Sequence, residues 1–488
     1  MPMIPFAEWA PDKPDLGDTA REASGVIPEK DGYRPFKTLA TVSGALGARA
    51  QGASWFRAAD GTTKNFAGDA TKLYLLSGTT WGDVSRLAGG AYAIDGTGSW
   101  RFAQFGTLAY ATNGVDALQS FDLATGTNWT AAAGSPPIGT FIATIRRFLF
   151  LANIAGYPQR LNWSGDNNSG TWASSATTLA DYQDLPDGGA ITGLLGGEVG
   201  VAFQENAITR VAFEGSPTVF RFDKIATDLG ATIVNSLAGW GSLGFFCHRS
   251  GFQMVQSAQQ IVPIGRDRVD RWFWSYVDQG NLHRCTSAID PVNSLYMMSF
   301  PTGSSGTPAE ILIYNWKADR WAHVAVTCEM IYSGATQQAW TLEDLDTFGT
   351  LEAVPYSLDS SYWTGVRQLL LAGFYTDHKY GTFSSANAAA QIDTQEMQFI
   401  PGRRAKILRA RPMIDGGAPQ IAVGTRATQQ AAVTYTTARS MIADGSVPLR
   451  AEGRYSRFRA TVPAGSTFTW MQGVDIDPNR DIAPGGSR

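Results

Sequence analysis

The sequence predicts an all-β protein: a β-propeller of six to seven blades, an extended N-terminal arm and a small C-terminal β-sandwich or barrel. Three observations carry this reading. From Arg49 to about Gly334 one grammar recurs, in which a strand ends at a Gly or Asn-Gly turn, a second strand rises, and a polar loop leads to a Trp. Six such units over 286 residues average about 48 each, the size of a four-stranded blade. The composition agrees: only 17% of residues are charged, whereas Gly (53), Phe (25) and Trp (15) abound, as expected for short strands joined by tight turns. The charge also changes sign along the chain. Residues 397–488 hold 13 Lys+Arg against 6 Asp+Glu (+7), and the preceding 396 hold 26 against 37 (−11), so the sequence divides as 1–48, 49–396 and 397–488. A stack of β-sandwiches remains the competing architecture.

Taken in order, residues 1–48 show no alternating strand of useful length. They read as an arm punctuated by Pro2, Pro5, Pro11, Pro14, Pro28 and Pro35, whose Phe6, Trp9, Tyr33 and Phe36 need a surface, either their own domain or a neighbouring subunit. The repeating units follow at 71–84, 100–131, 141–165, 191–215 and 294–324, with another in 239–274. In that stretch Leu243, Phe245, Gly251, Phe252 and Met254 alternate around a Ser250–Gly251 turn, as two strands of a meander do. Its second half sets Arg266, Asp267, Arg268, Asp270 and Arg271 against Trp272, Phe273 and Trp274, a sheet edge suited to a subunit contact or to a salt-bridge network within one chain. Residues 335–396 are patchier, and 351–363 with 369–384 supply a possible seventh blade. Beyond 397, strand-like ribbons carry arginines on one face, among them Arg454, Arg457 and Arg459 beside Phe458.

Chemistry is sparse. A net charge of −4 excludes a globally basic nucleic-acid binder. Cys247, Cys285 and Cys328 are too few and too far apart for a disulfide framework or zinc site, though their intervals of 38 and 43 residues suggest a repeat. No apolar run reaches the ~20 residues of a membrane helix, and the start MPMIPFAEWAPDKPD lacks the features of a signal peptide, so a cytoplasmic origin is expected. The four histidines fall singly, and no phosphate-binding loop, metalloprotease helix or serine elbow occurs. No metal, cofactor or catalytic residue is expected. The stretch SGDNNSGTW (164–172) is near the sialidase S-x-D-x-G-x-T-W box but has one residue too many, and that box is a stabilising turn in any case. A sialidase-like glycosidase and a receptor- or carbohydrate-binding propeller stay open as alternatives.

The arm segment IPFAEWAPDKPDLGDTAREASGVIPEKDGYRPFKTL resembles the start shared by tail proteins of short-tailed bacteriophages, through Pro14, Asp15, Ala23, Val26, Ile27, Pro28, Gly32, Tyr33 and Pro35. IGRDRVDRWFW, IYNWKADRWAHV and the end ARSMIADGSVPLRAEGRYSRFRATVPAGSTFTWMQGVDID extend the likeness to the packaged-DNA stabilisation, tail hub or nozzle proteins. The resemblance implies a virion structural protein, assembled in the host cytoplasm as a homohexameric ring below the portal and adaptor. Such a ring retains viral DNA, passes it without sequence-specific contacts, and carries tail fibres or a needle. It further implies that arm and C-terminal domain combine into an adaptor-docking platform, with Phe6, Trp9, Tyr33, Arg403, Arg404, Arg454, Arg457 and Arg459 as docking candidates. Arg266, Asp267, Arg268, Asp270, Arg271 and Trp272 are then the candidates for the seam between subunits.

Overall fold

A computed structural model describes residues 3–335, 346, 349–354 and 369–485. Seven four-stranded antiparallel blades follow one another, six as separate sheets and the sixth in order as the first part of a ten-stranded sheet, and their innermost strands begin at residues 53, 101, 139, 191, 233, 286 and 330. Blades 1 to 6 each use four consecutive strands: Ala53 to Asp83, Arg101 to Ala131, Gly139 to Asp184, Ile191 to Thr227, Ile233 to Pro263, and Thr286 to Ala325. Blade 7 is built differently. Its strands Met330–Ala335, Leu369–Phe374 and Lys379–Thr382 are completed by Ala40–Ala45, which pairs with Lys379–Thr382 through Ala40↔Thr382 and Thr41↔Gly381. Of the two segments expected to form this blade, the second supplies two strands, and most of the first lies outside the described residues.

Blades bury apolar faces against one another, so the ring is recorded in its seams. Phe66, Phe121 and Trp129 fill the seam between blades 1 and 2, with Phe66 and Trp129 ring centroids 5.2 Å apart. Leu149 and Tyr110 join blades 2 and 3, Phe150 and Phe220 blades 3 and 4, and Phe203 and Phe246 blades 4 and 5. Phe245 stacks on Tyr296 between blades 5 and 6, and Met297 meets Ile331 between 6 and 7. Trp81 packs on Phe374 and Tyr380, joining blade 7 to blade 1 and closing the circle. Seven seams for seven sheets define a seven-bladed propeller.

The arm is not featureless. Met3–Pro5, Glu22–Ser24, Val26–Glu29 and Gly32–Pro35 are strands of three or four residues; Val26–Glu29 forms a hairpin with Gly32–Pro35, and the three other than Val26–Glu29 each pair with a strand near the other end of the chain. Met3–Pro5 pairs with Met471–Asp475, and Glu22–Ser24 lies between blade 6's outer strand and Ala390–Asp393. Arm and C-terminal strands thereby form two sheets. One runs in the order 26–29, 32–35, 471–475, 405–414, 447–453; the other continues blade 6 through 22–24, 390–393, 455–462, 420–426 and 434–435. One apolar cluster unites Phe6, Trp9 and Tyr33 with Phe252 and Trp321 of blades 5 and 6 and with Ile407 and Phe458 of the C-terminal sheets. The arm thus ends near residue 39 rather than 48, and the sandwich begins with strand 390–393 rather than at 397.

Candidate functional sites

The cluster 266–272 lies between blades 5 and 6, and its second half is a helix, Asp270–Tyr276, where the sequence suggests a strand edge. Asp270 is buried and accepts a hydrogen bond from Phe252 N (3.0 Å); burial pushes its carboxyl up to about 6. Arg268 forms ion pairs with Glu8 (2.8 Å) and Asp319 (2.7 Å), while Arg271 N and Trp272 N both donate to the Asp12 carboxylate at 2.8 Å. Trp272 meets Trp9 edge to face, with centroids 4.9 Å apart. Arg268, Arg271 and Trp272 clasp the chain's own arm and Asp270 ties the helix to blade 5, which is the network expected as the alternative to a subunit seam. Arg266 and Asp267 remain exposed.

The aromatic docking candidates are interior. Phe6, Trp9 and Tyr33 are at most 2% exposed. Tyr33 donates to Ala7 O (2.7 Å), and burial raises its hydroxyl pKa to about 12. They fasten the arm to the body and present no face to a partner, because their apolar rings are more stable in the shared core. Arg459 is also committed, with both its Nε and Nη2 donating to Asp393 at 2.8 Å while its guanidinium lies 3.7 Å from the Tyr435 ring centre. Arg457 donates to the Tyr435 hydroxyl (2.6 Å). Arg403, Arg404 and Arg454 are exposed, with Arg404 3.7 Å from Glu452 and Arg454 over the Tyr455 ring.

His323 holds the arm from the other side. Its ring nitrogens face Glu22 and Glu310, the latter at 3.2 Å, and its ring lies 4.8 Å from Trp9 and 5.3 Å from Trp272. Burial alone would lower its pKa, but the hydrogen bonds and charges of the two carboxylates outweigh that and hold it at about 9.

A site that the sequence did not suggest lies on the propeller axis. A cavity of about 200 Å³ is lined from every blade by residues of the inner strands or just before them. Arg49 precedes blade 1, Arg101 opens blade 2, and His283 and Arg284 precede blade 6. Arg101 donates to Asn235 Oδ1 and stacks on Phe141, 5.5 Å from the ring centre; burial lowers its pKa to about 10. Arg49 donates to Gly96 O (2.7 Å), and burial and the charge of Arg284 pull its pKa down. Arg284 Nε is buried without a hydrogen-bond partner. Its pKa is also lowered, by burial. Glu329, the one acid lining the cavity, accepts from Ala50 N (3.1 Å) and faces His378 Nδ1 (2.6 Å), and its charge partly offsets the lowering of Arg49 and Arg284.

Among the described residues no group of three or more His, Cys, Asp or Glu is arranged to hold a metal ion, and no helix is long and apolar enough to cross a membrane. All three cysteines are buried free thiols, and burial raises Cys285 and Cys328 to about 12. Asp166 of the 164–172 stretch pairs with Arg147 (2.7 Å) beside the buried Trp172.

No protein-family model matches the chain, and no curated protein does. Among solved structures it is similar to a chain of a mitotic checkpoint complex (9% identity, TM-score 0.39, covering 73% of this chain and 96% of that one). It is likewise similar to the computationally designed Ika8 protein (9%, TM-score 0.38, 78% and 98%). A third similarity is to the extracellular domain of a putative hybrid two-component system, BT4673 of B. thetaiotaomicron (13%, TM-score 0.43); it covers 82% of this chain and 47% of that one. Likeness at this level carries no function, and the blade count comes from the sheets and seams described above.

Proposed function

We propose that this chain is a non-enzymatic structural subunit of a short phage tail, the nozzle or tail hub, which closes into a ring below the portal and adaptor, retains packaged DNA and forms its exit channel. The observation that carries the reading is the co-folding of both chain ends into one sandwich, the arrangement that the resemblance implies for an adaptor-docking platform. Two properties of that sandwich support docking. Arm residues 1–39 bring 5 Lys+Arg and 7 Asp+Glu to the 13 and 8 of residues 390–488, leaving the combined unit at +3 beside a propeller region of −7. Strand Ala405–Ile414 turns Lys406, Leu408 and Met413 to solvent, and Met441 and Ile442 stand 41% and 51% exposed near the same sheets. Basic and apolar side chains on one face suit a protein partner with an acidic surface.

The receptor- or carbohydrate-binding alternative draws on a different feature: Trp240, 46% exposed, borders a cleft of about 480 Å³ with Leu195, Leu243 and Val255. Electron micrographs of virions and the mass of the purified chain decide between them. Six copies around a channel wide enough for duplex DNA, which is roughly 20 Å across, support the nozzle. A monomer that binds sugars and never enters a particle overturns it.

A further inference from the structure

We propose that the axial cavity of the propeller is a binding site for a small oxyanion, the phosphate or carboxylate group of a low-molecular-weight ligand, gripped by Arg49, Arg101 and Arg284. The inference stands on the cavity alone and does not depend on the tail reading.

Three guanidinium groups from three separate blade entries face one space of about 200 Å³, and none of them forms an ion pair among the described residues. All three are half-buried and share a single lining acid; excess positive charge withdrawn from water is unfavourable, and guanidinium forks match oxyanions in a bidentate geometry that ammonium groups cannot reproduce. The acids nearby offset the charge only in part. Glu329 acts on both Arg49 and Arg284 but is shared with Ala50 N and His378, and Asp95 spends one oxygen on its own turn, accepting from Thr97 N (2.8 Å) and Gly98 N (2.7 Å). The buried Arg284 Nε lacks any hydrogen-bond partner. An oxyanion in the cavity supplies both the remaining negative charge and the missing acceptor.

The site has an approach. A second cavity of about 310 Å³ shares Ser99, Arg101, Asn235 and His283 with the first, and its rim includes the exposed Thr97. Asn235 holds this junction by donating to His283 O (2.9 Å) while accepting from Arg101.

The test is calorimetric titration of the full chain with sodium phosphate and, separately, with sodium acetate, at pH 7.5 and constant ionic strength set by sodium chloride. Saturable binding of one probe per chain is expected, with phosphate the tighter if the natural ligand is phosphorylated and acetate the tighter if it is a carboxylic acid. Arg101→Gln and Arg284→Gln should each weaken binding at least tenfold. Arg284→Gln should also melt no lower than the parent in chloride, because it removes an uncompensated charge. If neither probe binds above the chloride baseline, or if both variants bind as the parent does, the proposal fails. The parent titration decides the matter even if a variant does not fold.

Discussion

At the scale of single residues, the joint between arm and body depends on a few buried polar groups that cannot be exchanged for near neighbours. Arg320 is 8% exposed and donates to Glu29 O (2.6 Å), Lys30 O (3.0 Å) and Phe6 O (2.9 Å) while stacking on Tyr33. Arg320→Met keeps the volume but strands three carbonyls, so a loss of about 3 kcal/mol is expected, together with faster proteolysis inside residues 1–35. An unchanged digestion pattern would remove Arg320 from this role. His323 sets a pH dependence. Its folded pKa of about 9 lies above its ordinary value, so its contribution is complete below pH 6.5 and is lost as pH rises through 9. The melting temperature should fall between pH 7 and 9.5, and His323→Gln should start lower and flatten that fall; an equal slope in the variant excludes His323 as the cause. Gly251, at φ 118°, and Gly265 make room for Asp270: a Cβ on either would stand 1.9 or 2.0 Å from its carboxylate oxygens. Gly265→Ala is expected to destabilise by about 3 kcal/mol, measured by denaturant titration.

At the scale of elements, the sandwich cannot exist without the first 35 residues, since they supply four of its strands and the buried Phe6, Trp9 and Tyr33. Arg426, 9% exposed, adds a polar tie by bridging the buried Glu396 to Asp15 of the arm (3.0 Å). A chain beginning at residue 36 should keep a folded ring while residues 397–485 become protease-sensitive; a C-terminal region as resistant as before would contradict this. The same element shows where sequence reading stops. Strands of three or four residues carry too little alternation to register, and apart from the hairpin of 26–29 with 32–35 their sandwich partners lie roughly 400 residues away, whereas pattern is a local property. Helix Asp270–Tyr276 escaped for a related reason: two turns of DRWFWSY hold too few positions for a 3.6-residue period, and its aromatics favour a strand reading. The hairpins of blades 2 to 6, by contrast, were plain, because each places alternation and turn residues within one short window. The charge cluster 266–272 was legible as important but not in its object, since Glu8, Asp12 and Asp319 come from distant segments.

At the scale of the whole molecule, the repeat period was legible and the closure was not. Cys285 and Cys328 stand just before the inner strands of blades 6 and 7, so their 43-residue interval is one blade, whereas Cys247 lies inside blade 5 and its interval is not. The axial arginines obey the same logic. Arg49, Arg101 and Arg284 share no motif, and only their common place at blade entries, visible once the register is known, brings them together. Closure through Ala40–Ala45 yields the last prediction: a chain beginning at residue 46 should melt on the order of 10 °C or more below one beginning at residue 36, because it also opens the ring. Equal melting temperatures would mean that blade 7 holds without that strand. This closure also sets a clock on biosynthesis. Ala40 leaves the ribosome early, but its partner Thr382 follows 342 residues later (382 − 40), a delay of roughly 17–70 s at bacterial to eukaryotic elongation rates of about 5–20 residues per second. Throughout that interval a nascent strand edge waits unpaired, so the ring is finished only after nearly four-fifths of the polypeptide has been made, and guarding that edge falls to whatever the cell provides.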